Sequence, residues 1–357
     1  TLPPSESTAT ARQLMSQHNI SGVPIVGDNG KLVGILTRRD MKFLPSADTR
    51  IEDVMTKRNL VTAPPGTKLD EAEMILNRHK VEKLLLVDAQ GKLRDLSSVL
   101  PDITPQTLTP SGLQRLRDVN LASLPIVANP GRTAPPWSGC GKFVAVGLNY
   151  SDHAAETGNP IPKEPVLFMK TTRCIVGCND AVVLPKGSVN ADWEVELGIV
   201  IGSKTRYVSK DHALSHVAGY CIVNDVSERE YQIERGGQWD KGKGCDTFGP
   251  IGPWLVTADE VTDPQALSMW LEVNGKRHQN GNTRTMIFGV AHLVSYISEF
   301  MTLYPGDLIT TGTPPGVGLG MKPPLFLKAG DTMRVGVQGL GEQFQQVHAW
   351  NPELIDA

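Results

Sequence analysis

The chain has 357 residues, with 35 Lys and Arg against 38 Asp and Glu and a formal net charge of −3. That length accommodates two domains or one large one, and the interspersed charges form no basic stripe or acidic tail, so neither nucleic acid nor an anionic membrane is implied as a partner. There is no apolar run of about eighteen residues, no charged-then-apolar leader and, among Cys140, Cys174, Cys178, Cys221 and Cys245, no Cys-x-x-Cys pair. A reduced, cytoplasmic protein is therefore expected, without a membrane span or a disulfide framework.

The first ninety or so residues repeat at an offset of 61 positions. Thr1-Leu2-Pro3-Pro4 falls on Thr62-Ala63-Pro64-Pro65, His18 on His79, Ile20 on Val81, and Gly30-Lys31-Leu32 on Gly91-Lys92-Leu93. Each unit reads as an extended entry, an amphipathic helix (Leu14, Met15 and His18, then Leu69, Ala72, Ile75 and Leu76) and a strand, turn and strand. In the first unit the strands cover 23–26 and 32–36 around the turn Asp28-Asn29-Gly30. A repeat used twice indicates a paired module.

Three segments of this region, Ile20-Ser21-Gly22-Val23-Pro24-Ile25-Val26, Leu32-Val33-Gly34-Ile35-Leu36-Thr37-Arg38-Arg39-Asp40 and Asp53-Val54-Met55-Thr56-Lys57, resemble the tandem CBS domains of bacterial IMP dehydrogenases. The resemblance implies an α+β CBS pair over residues 1–92, with the second unit incomplete, that binds an adenine or guanine nucleotide. Thr37 and Asp40 would be its Thr-x-x-Asp ribose contacts. The second unit departs from the pattern, because Arg94-Asp95-Leu96-Ser97-Ser98-Val99-Leu100-Pro101 stands where a second such signature belongs.

Residues 93–142 are rich in Pro, Thr and Gly around one helical candidate at 111–117 and read as a linker. From 143 to 357 apolar segments alternate with turn residues: strands are expected at 143–148, 166–169, 182–184, 194–201, 219–224, 254–256, 268–273, 308–310 and 332–338, and helices at 210–216 and 291–299. Many short strands predict a mainly β domain with some α and argue against a doubly wound fold.

Four places in this region carry chemistry. His153 and Glu156 are three apart after Asn149-Tyr150, neighbours on a helical turn, where a carboxylate can orient an imidazole as a general base; solvated pairs of this spacing are also common. Glu194 and Glu196 head the apolar run Leu197-Gly198-Ile199-Val200-Ile201 and share one face of a strand. They mark either an edge strand with a solvated acidic face or ligands of a hard divalent cation. Asp225 ends the apolar strand Tyr220-Cys221-Ile222-Val223-Asn224 and offers a third oxygen donor, or a helix N-cap. Lys241 and Lys243 lie in a glycine-rich stretch after Trp239, able to meet an anion or merely solvated.

Together these pieces resemble the fumarylacetoacetate hydrolase superfamily from about Phe143 to Trp350. Its markers here are Gly147-Leu148-Asn149-Tyr150 with the His-x-x-Glu pair, Asp192-Trp193-Glu194-Val195-Glu196-Leu197-Gly198, Asn224-Asp225-Val226-Ser227-Glu228-Arg229, Gly242-Lys243, Tyr304-Pro305-Gly306-Asp307 and Thr311-Gly312-Thr313-Pro314-Pro315-Gly316. The resemblance implies a mixed β-roll and a site in which Glu194, Glu196 and Asp225 bind Mg²⁺ or Mn²⁺. It further implies that His153, Glu156 and Lys243 are catalytic and that Arg229, Tyr150, Gln238 and Thr313 contact a small oxo-acid substrate. The implied reaction is hydrolysis of a C–C bond in a 2,4-dioxo acid, of the acylpyruvate or 2,4-diketo-3-deoxy sugar acid type, by a homodimer or higher homo-oligomer. Ureidoglycolate lyase, isomerase and decarboxylase activities occur on the same scaffold, and a nucleotide-sensing CBS module with an idle catalytic domain is the alternative of a different class. Residues 84–95 fit both the end of the second CBS unit and the start of a hydrolase N-terminal region, which places a crossover there and makes residues 93–142 a linker and remnant of that N-terminal region.

Overall fold

A computed structural model describes residues 1–17, 22–27, 32–37, 40–41, 49–56, 62–63, 85–86, 94–127, 131–158 and 160–355. They fall into two units, Thr1–Leu93 and Arg94–Ala357.

In the smaller unit the helix Thr8–Gln17 buries Ala11 and Met15, four apart and so on one face. They share a core with Val23 and Ile25 of β1 (Gly22–Val26) and Leu36 of β2 (Leu32–Thr37), an antiparallel pair in which Val23 faces Leu36. The short helix Ile51–Val54 adds Ile51 to that core. β3 (Thr62–Ala63) lies parallel to β4 (Leu85–Leu86). The expected turn at 28–30, the second unit's helix and most of the 84–95 crossover lie outside the described residues.

The larger unit contains β5 (Phe143–Gly147), β6 (Val166–Lys170), β7 (Ile175–Gly177), β8 (Val182–Val183), β9 (Ala191–Asp192), β10 (Val195–Ile201) and β11 (Val217–Asn224). It continues with β12 (Ser227–Glu228), β13 (Gly249–Thr257), β14 (Ser268–Val273), β15 (Lys276–Asn282), β16 (Leu308–Thr310), β17 (Thr332–Val337) and β18 (Gly341–His348). Seven strands form a mixed sheet in the order β6-β5-β16-β10-β11-β13-β7, five form a second in the order β15-β14-β17-β18-β8, and β9 pairs with β12. The mainly β fold expected from the short apolar segments is present.

β10 is the middle strand of the larger sheet, and all seven of its residues are buried. Its alternation divides the core. Val195, Leu197 and Ile199 join Met333, Val335 and Val337 of the second sheet in one cluster, while Val200 faces Phe143, Cys221, Val223 and Leu308 in another. Glu196 belongs to the Val200 side, so the solvated edge-strand reading of the acidic pair does not hold. The helix Val290–Phe300 closes the first cluster with Val290, Leu293, Val294 and Ile297, an i, i+3, i+4, i+7 stripe.

Of the strands that the sequence pattern did not mark, β15 and β18 escaped because amides occupy much of their buried faces; β7, β9 and β12 are only two or three residues long. In β18, Gln343 and Gln345 alternate with exposed Glu342, Phe344 and Gln346, and β15 has Gln279 as its buried residue. The stretch read as a linker also contributes to the core: Leu108 and Trp137 are buried beside Phe143 and Cys174, and the Trp137 indole donates to the Gly306 carbonyl at 3.0 Å. Its helix is Pro110–Arg117, capped by Thr109. None of the five cysteines is in a disulfide. Among the described residues no helix is long and apolar enough to cross a membrane.

A Cβ on Gly198 of β10 would stand 2.8 Å from Val223 Cγ2, 2.9 Å from Cys221 Sγ and 3.1 Å from Leu308 Cδ1. Gly198→Val is expected to destabilise the larger unit by about 1–3 kcal/mol through overpacking. Urea unfolding followed by tryptophan fluorescence measures it, and an unchanged midpoint would contradict the close packing of this strand.

Candidate active site

Strand register builds the acidic cluster. Val195 pairs with Asn224 across β10 and β11, so Glu194 and Asp225, one step beyond each, meet at the same sheet end. Backbone and amide bonds fix the junction: Asp225 N–H donates to the Glu194 carbonyl at 2.9 Å, Glu194 N–H to Asn224 Oδ1 at 3.2 Å, and Val195 N–H to Gln279 Oε1 at 2.9 Å. Glu194, Glu196 and Asp225 each present an oxygen within 4.8 Å of the others, and all three are buried.

Three buried carboxylates this close need counter-charge. Lys243 Nζ bridges Glu194 Oε2 at 2.6 Å and Asp225 Oδ2 at 2.7 Å. Arg229 donates to Glu194 Oε1 at 2.6 Å, to Asp192 Oδ2 at 2.8 Å and to Gln232 Oε1 at 3.0 Å. Lys170 Nζ lies 2.7 Å from Asp225 Oδ1 and also donates to the carbonyls of Val226 and Lys243. Burial alone would raise the Glu194 carboxyl, but Lys243 and Arg229 outweigh it and hold the group at about 2. Burial, with Asp225 and Glu194 beside it, pushes Glu196 well above the usual carboxylate range. Glu196 Oε2 accepts from Thr310 Oγ1 at 2.5 Å and Gly312 N–H at 2.7 Å. Burial would likewise depress the Lys170 ammonium, and Asp225 raises it instead.

The donor set suits a hard divalent cation, being three carboxylates able to offer oxygen alone. Asp225 Oδ1 is a fully buried oxygen that faces the Lys170 ammonium at 2.7 Å, a second cation drawn to the cluster. The ammonium of Lys243 between two of the carboxylates shows that this spot attracts positive charge. Glu194, Glu196 and Asp225 are thus the residues that could hold a metal.

A cavity of about 310 Å³ opens over the cluster, lined by Glu194, Glu196, Lys243, Arg229, Gln232, His153, Thr313 and a set of apolar side chains. His153 and Glu156 lie on the helix Ser151–Thr157, with His153 Nδ1 3.0 Å from Glu156 Oε2. Glu156 is itself held by the Gly316 N–H, at 3.1 Å to Oε1. Thr313 Oγ1 donates to the Val195 carbonyl at 2.9 Å and accepts from Gln279 Nε2 at 2.7 Å, so this loop is tied to the strand that bears the two glutamates.

Of the residues expected at the site, the structure gathers His153, Glu194, Glu196, Arg229, Lys243 and Thr313 on the cavity wall, with Glu156 and Asp225 directly behind them. Tyr150 does not line it. Its side chain is wholly buried, with the hydroxyl 3.1 Å from Met269 Sδ, because the residue precedes the helix and faces the core. Gln238 is exposed and outside the lining, one residue before Trp239, which is part of it. Thr37 and Asp40 in the smaller unit do meet: Asp40 Oδ2 accepts from the Thr37 hydroxyl and amide, both at 2.7 Å.

Asp192, Lys170 and Gln232 were missed. Asp192 shares the i, i+2 spacing of the two glutamates, and that period extended by one step would have found it. It accepts from Arg229, from Gly318 N–H at 2.7 Å and from Leu319 N–H at 3.0 Å. Lys170, ending an apolar strand, carried the signal of a cation entering a core.

Comparison with known proteins bears on both units. A family model described as fumarylacetoacetate (FAA) hydrolase C-terminal matches residues 142–348, and the CBS domain model matches residues 1–44 and 51–96. A relative from Burkholderia cenocepacia, named in general terms as a hydrolase, is 62% identical over 266 residues, covering 74% of this chain and 94% of its own. Among solved structures, fumarylacetoacetate hydrolase from psychrophilic Exiguobacterium antarcticum is 36% identical with a TM-score of 0.66, covering 73% of this chain and 93% of its own. A 5-carboxymethyl-2-hydroxymuconate delta-isomerase from Mycobacterium smegmatis is 37% identical with a TM-score of 0.54, covering 64% and 82%.

The charge assignment has a direct test in stability. Asp225→Asn leaves Lys170 and Lys243 without their shared partner and is expected to cost about 3–5 kcal/mol in chelator-containing buffer. Glu196→Gln, at a carboxyl whose surroundings favour the neutral acid, is expected to cost less than about 1 kcal/mol. Urea unfolding of both variants checks this, and equal losses would refute it.

Proposed function

The chain belongs to the fumarylacetoacetate hydrolase family and carries a CBS domain pair ahead of the family domain, and from that premise we propose that it is a divalent-metal-dependent hydrolase of a C–C bond in a 2,4-dioxo acid. The observation that carries the reading is the buried acidic triad Glu194, Glu196 and Asp225, bridged by Lys243, at the floor of a cavity that His153 borders.

Mg²⁺ or Mn²⁺ held by the triad would supply a Lewis acid for the carboxylate and 2-oxo oxygens of the substrate and for the enolate charge that develops there. Arg229, anchored by Asp192 and Glu194, orients the substrate carboxylate. Lys243 commits two of its three N–H groups to Glu194 and Asp225 and directs its ammonium charge at the developing oxyanion. Glu156 accepts a hydrogen bond from His153 Nδ1–H, in the tautomer whose Nε2 bears the lone pair. His153 Nε2 then removes a proton from water, which adds to the C4 carbonyl carbon. The C3–C4 bond breaks with its electron pair left on C3, and that proton is available to quench the carbanion equivalent, giving pyruvate and a carboxylic acid. The loop of Gly312 and Thr313, tied to β10, walls the site from solvent.

Isomerisation is the second reading, favoured by the likeness to the Mycobacterium smegmatis delta-isomerase, since a His–Glu pair over an enolate can equally move a proton along a carbon chain. Hydrolysis adds one water to the mass of the products and isomerisation adds none. In the smaller unit the joined Thr37 and Asp40 support binding of an adenine or guanine nucleotide. Calorimetric titration with ATP, AMP and GTP should give a signal that Asp40→Ala removes, and the absence of heat at millimolar nucleotide would discard it.

Cleavage of an acylpyruvate should require Mn²⁺ or Mg²⁺, stop with chelator, and be lost in Glu194→Gln and Glu196→Gln. His153→Asn should lower kcat by about 10²–10⁴-fold with KM little changed. Turnover indifferent to chelator would overturn the reading.

A further inference from the structure

We infer that the apolar wall of the cavity selects an uncharged, apolar acyl group, so that the substrate is a monocarboxylic acylpyruvate with a hydrocarbon tail; this rests on the 2-oxo acid reading of the site. The argument is a census of what the cavity can offer. Arg229 and Lys243 are the lysine and arginine side chains among its lining residues. Both stand at the carboxylate end, Arg229 engaged with Asp192 and Glu194, and Lys243 with Glu194 and Asp225. His153 is paired with Glu156. A second substrate carboxylate would therefore meet no lysine or arginine of the lining to receive it, and as far as it enters the cavity it would lose hydration without compensation.

The remaining wall is hydrocarbon. It is made by Leu148, Phe168, Ile233, Trp239, Val317 and Leu319, whose side chains offer one polar atom, the Trp239 indole N–H. Phe168 begins this wall beside the cluster, with Lys243 Nζ 5.2 Å from its ring centroid, and meets Trp239 edge to face at 5.3 Å. Gly147 makes room for that corner, since a Cβ there would lie 2.4 Å from Trp239 Cζ3. Ile233 is 50% exposed and Leu319 38% exposed, large apolar side chains at a cavity where a hydrocarbon tail would cover them. A hydroxylated sugar-acid tail meets the Trp239 indole N–H along this wall, while the uncharged polar side chains elsewhere in the lining, Gln232 and Thr313, are engaged with Arg229 and with Gln279 and the Val195 carbonyl.

Two acids differing at one end read the wall: 2,4-dioxoheptanoate ends in a methyl group and 2,4-dioxoheptanedioate in a carboxylate at the same carbon. Hydrolysis of the first consumes one water, breaks C3–C4 and yields pyruvate and butanoate. With Mn²⁺ present, kcat/KM is expected to favour the monoacid by on the order of 100-fold or more, and to favour it also over its 5-hydroxy derivative. Leu319→Arg and Ile233→Lys, at exposed positions, each introduce a cation and are expected to shift the ratio at least about tenfold toward the diacid, through its KM. Equal or better use of the diacid by the unaltered protein would overturn the inference. Binding keeps this test separate from the reaction class. Neither 2-oxohexanoate nor 2-oxoadipate has a 4-oxo group to be cleaved, so tighter calorimetric binding of the former supports the apolar wall even if no dioxo acid is hydrolysed. Tighter binding of 2-oxoadipate overturns the wall alone, and no binding of either acid overturns both.

Discussion

Everything in the larger unit is arranged around one electrostatic demand: three carboxylates converge in a buried pocket at the end of a central strand. Like charges so close in a low dielectric would expel one another unless neutralised. The counter-charges come from three separate segments, Lys170 at the end of β6, Arg229 after β12 and Lys243 in the short helix Asp240–Lys243. Each must be delivered to within hydrogen-bonding distance, so the cluster fixes the mutual positions of strands that share no register. Among the described residues Glu196 forms no ion pair and is accommodated differently, by a hydroxyl and an amide donor and by a strong bias toward the neutral acid.

A second layer of polar residues holds this cluster in place. Asn224 bonds Glu194 N–H and, through its own amide, Gln345 Oε1 at 3.2 Å. Gln345 and Gln343 join each other and reach the carbonyls of Cys178, Ile222 and Gly252. Gln279 joins Val195 to Thr313 and Pro314. The amides from the five-stranded sheet thus satisfy backbone groups of the seven-stranded one where apolar packing would leave them stranded. Fully satisfied networks of this kind set a single alignment of the two sheets, and with it the spacing of the acidic triad.

The legible part of this protein was the part written in hydrophobic period. Glu194 and Glu196 at an i, i+2 spacing ahead of an apolar run, with Asp225 closing another, gave the triad, and the sheet-rich fold followed from short apolar segments. β15 and β18 were illegible because Gln279, Gln343 and Gln345 bury polar side chains on faces that composition marks as exposed. Residues 94–142 look like a linker because their core contribution rests on a few side chains, Leu108 and Trp137 among them, spaced without a period. Tyr150 illustrates the limit of motif transfer: its neighbour on the helix, His153, reaches the cavity, whereas the ring itself is directed into the core. Whether a strand lies at an edge or in the middle depends on partners such as β16, more than a hundred residues downstream, which no local pattern encodes.

Internal lysines give the acidic centre counter-charge of its own. Because Lys170 and Lys243 are part of the chain, the acidic centre carries its own counter-ions from the moment the strands assemble. Were the triad to take up the proposed ion, a newly made molecule would complete its tertiary structure before that ion arrives. Many small metallodomains, by contrast, unfold when their ion is withdrawn. Under the metal-dependent function proposed above, the amount of folded protein would then be set by synthesis, and the fraction at work by the free concentration of the cation.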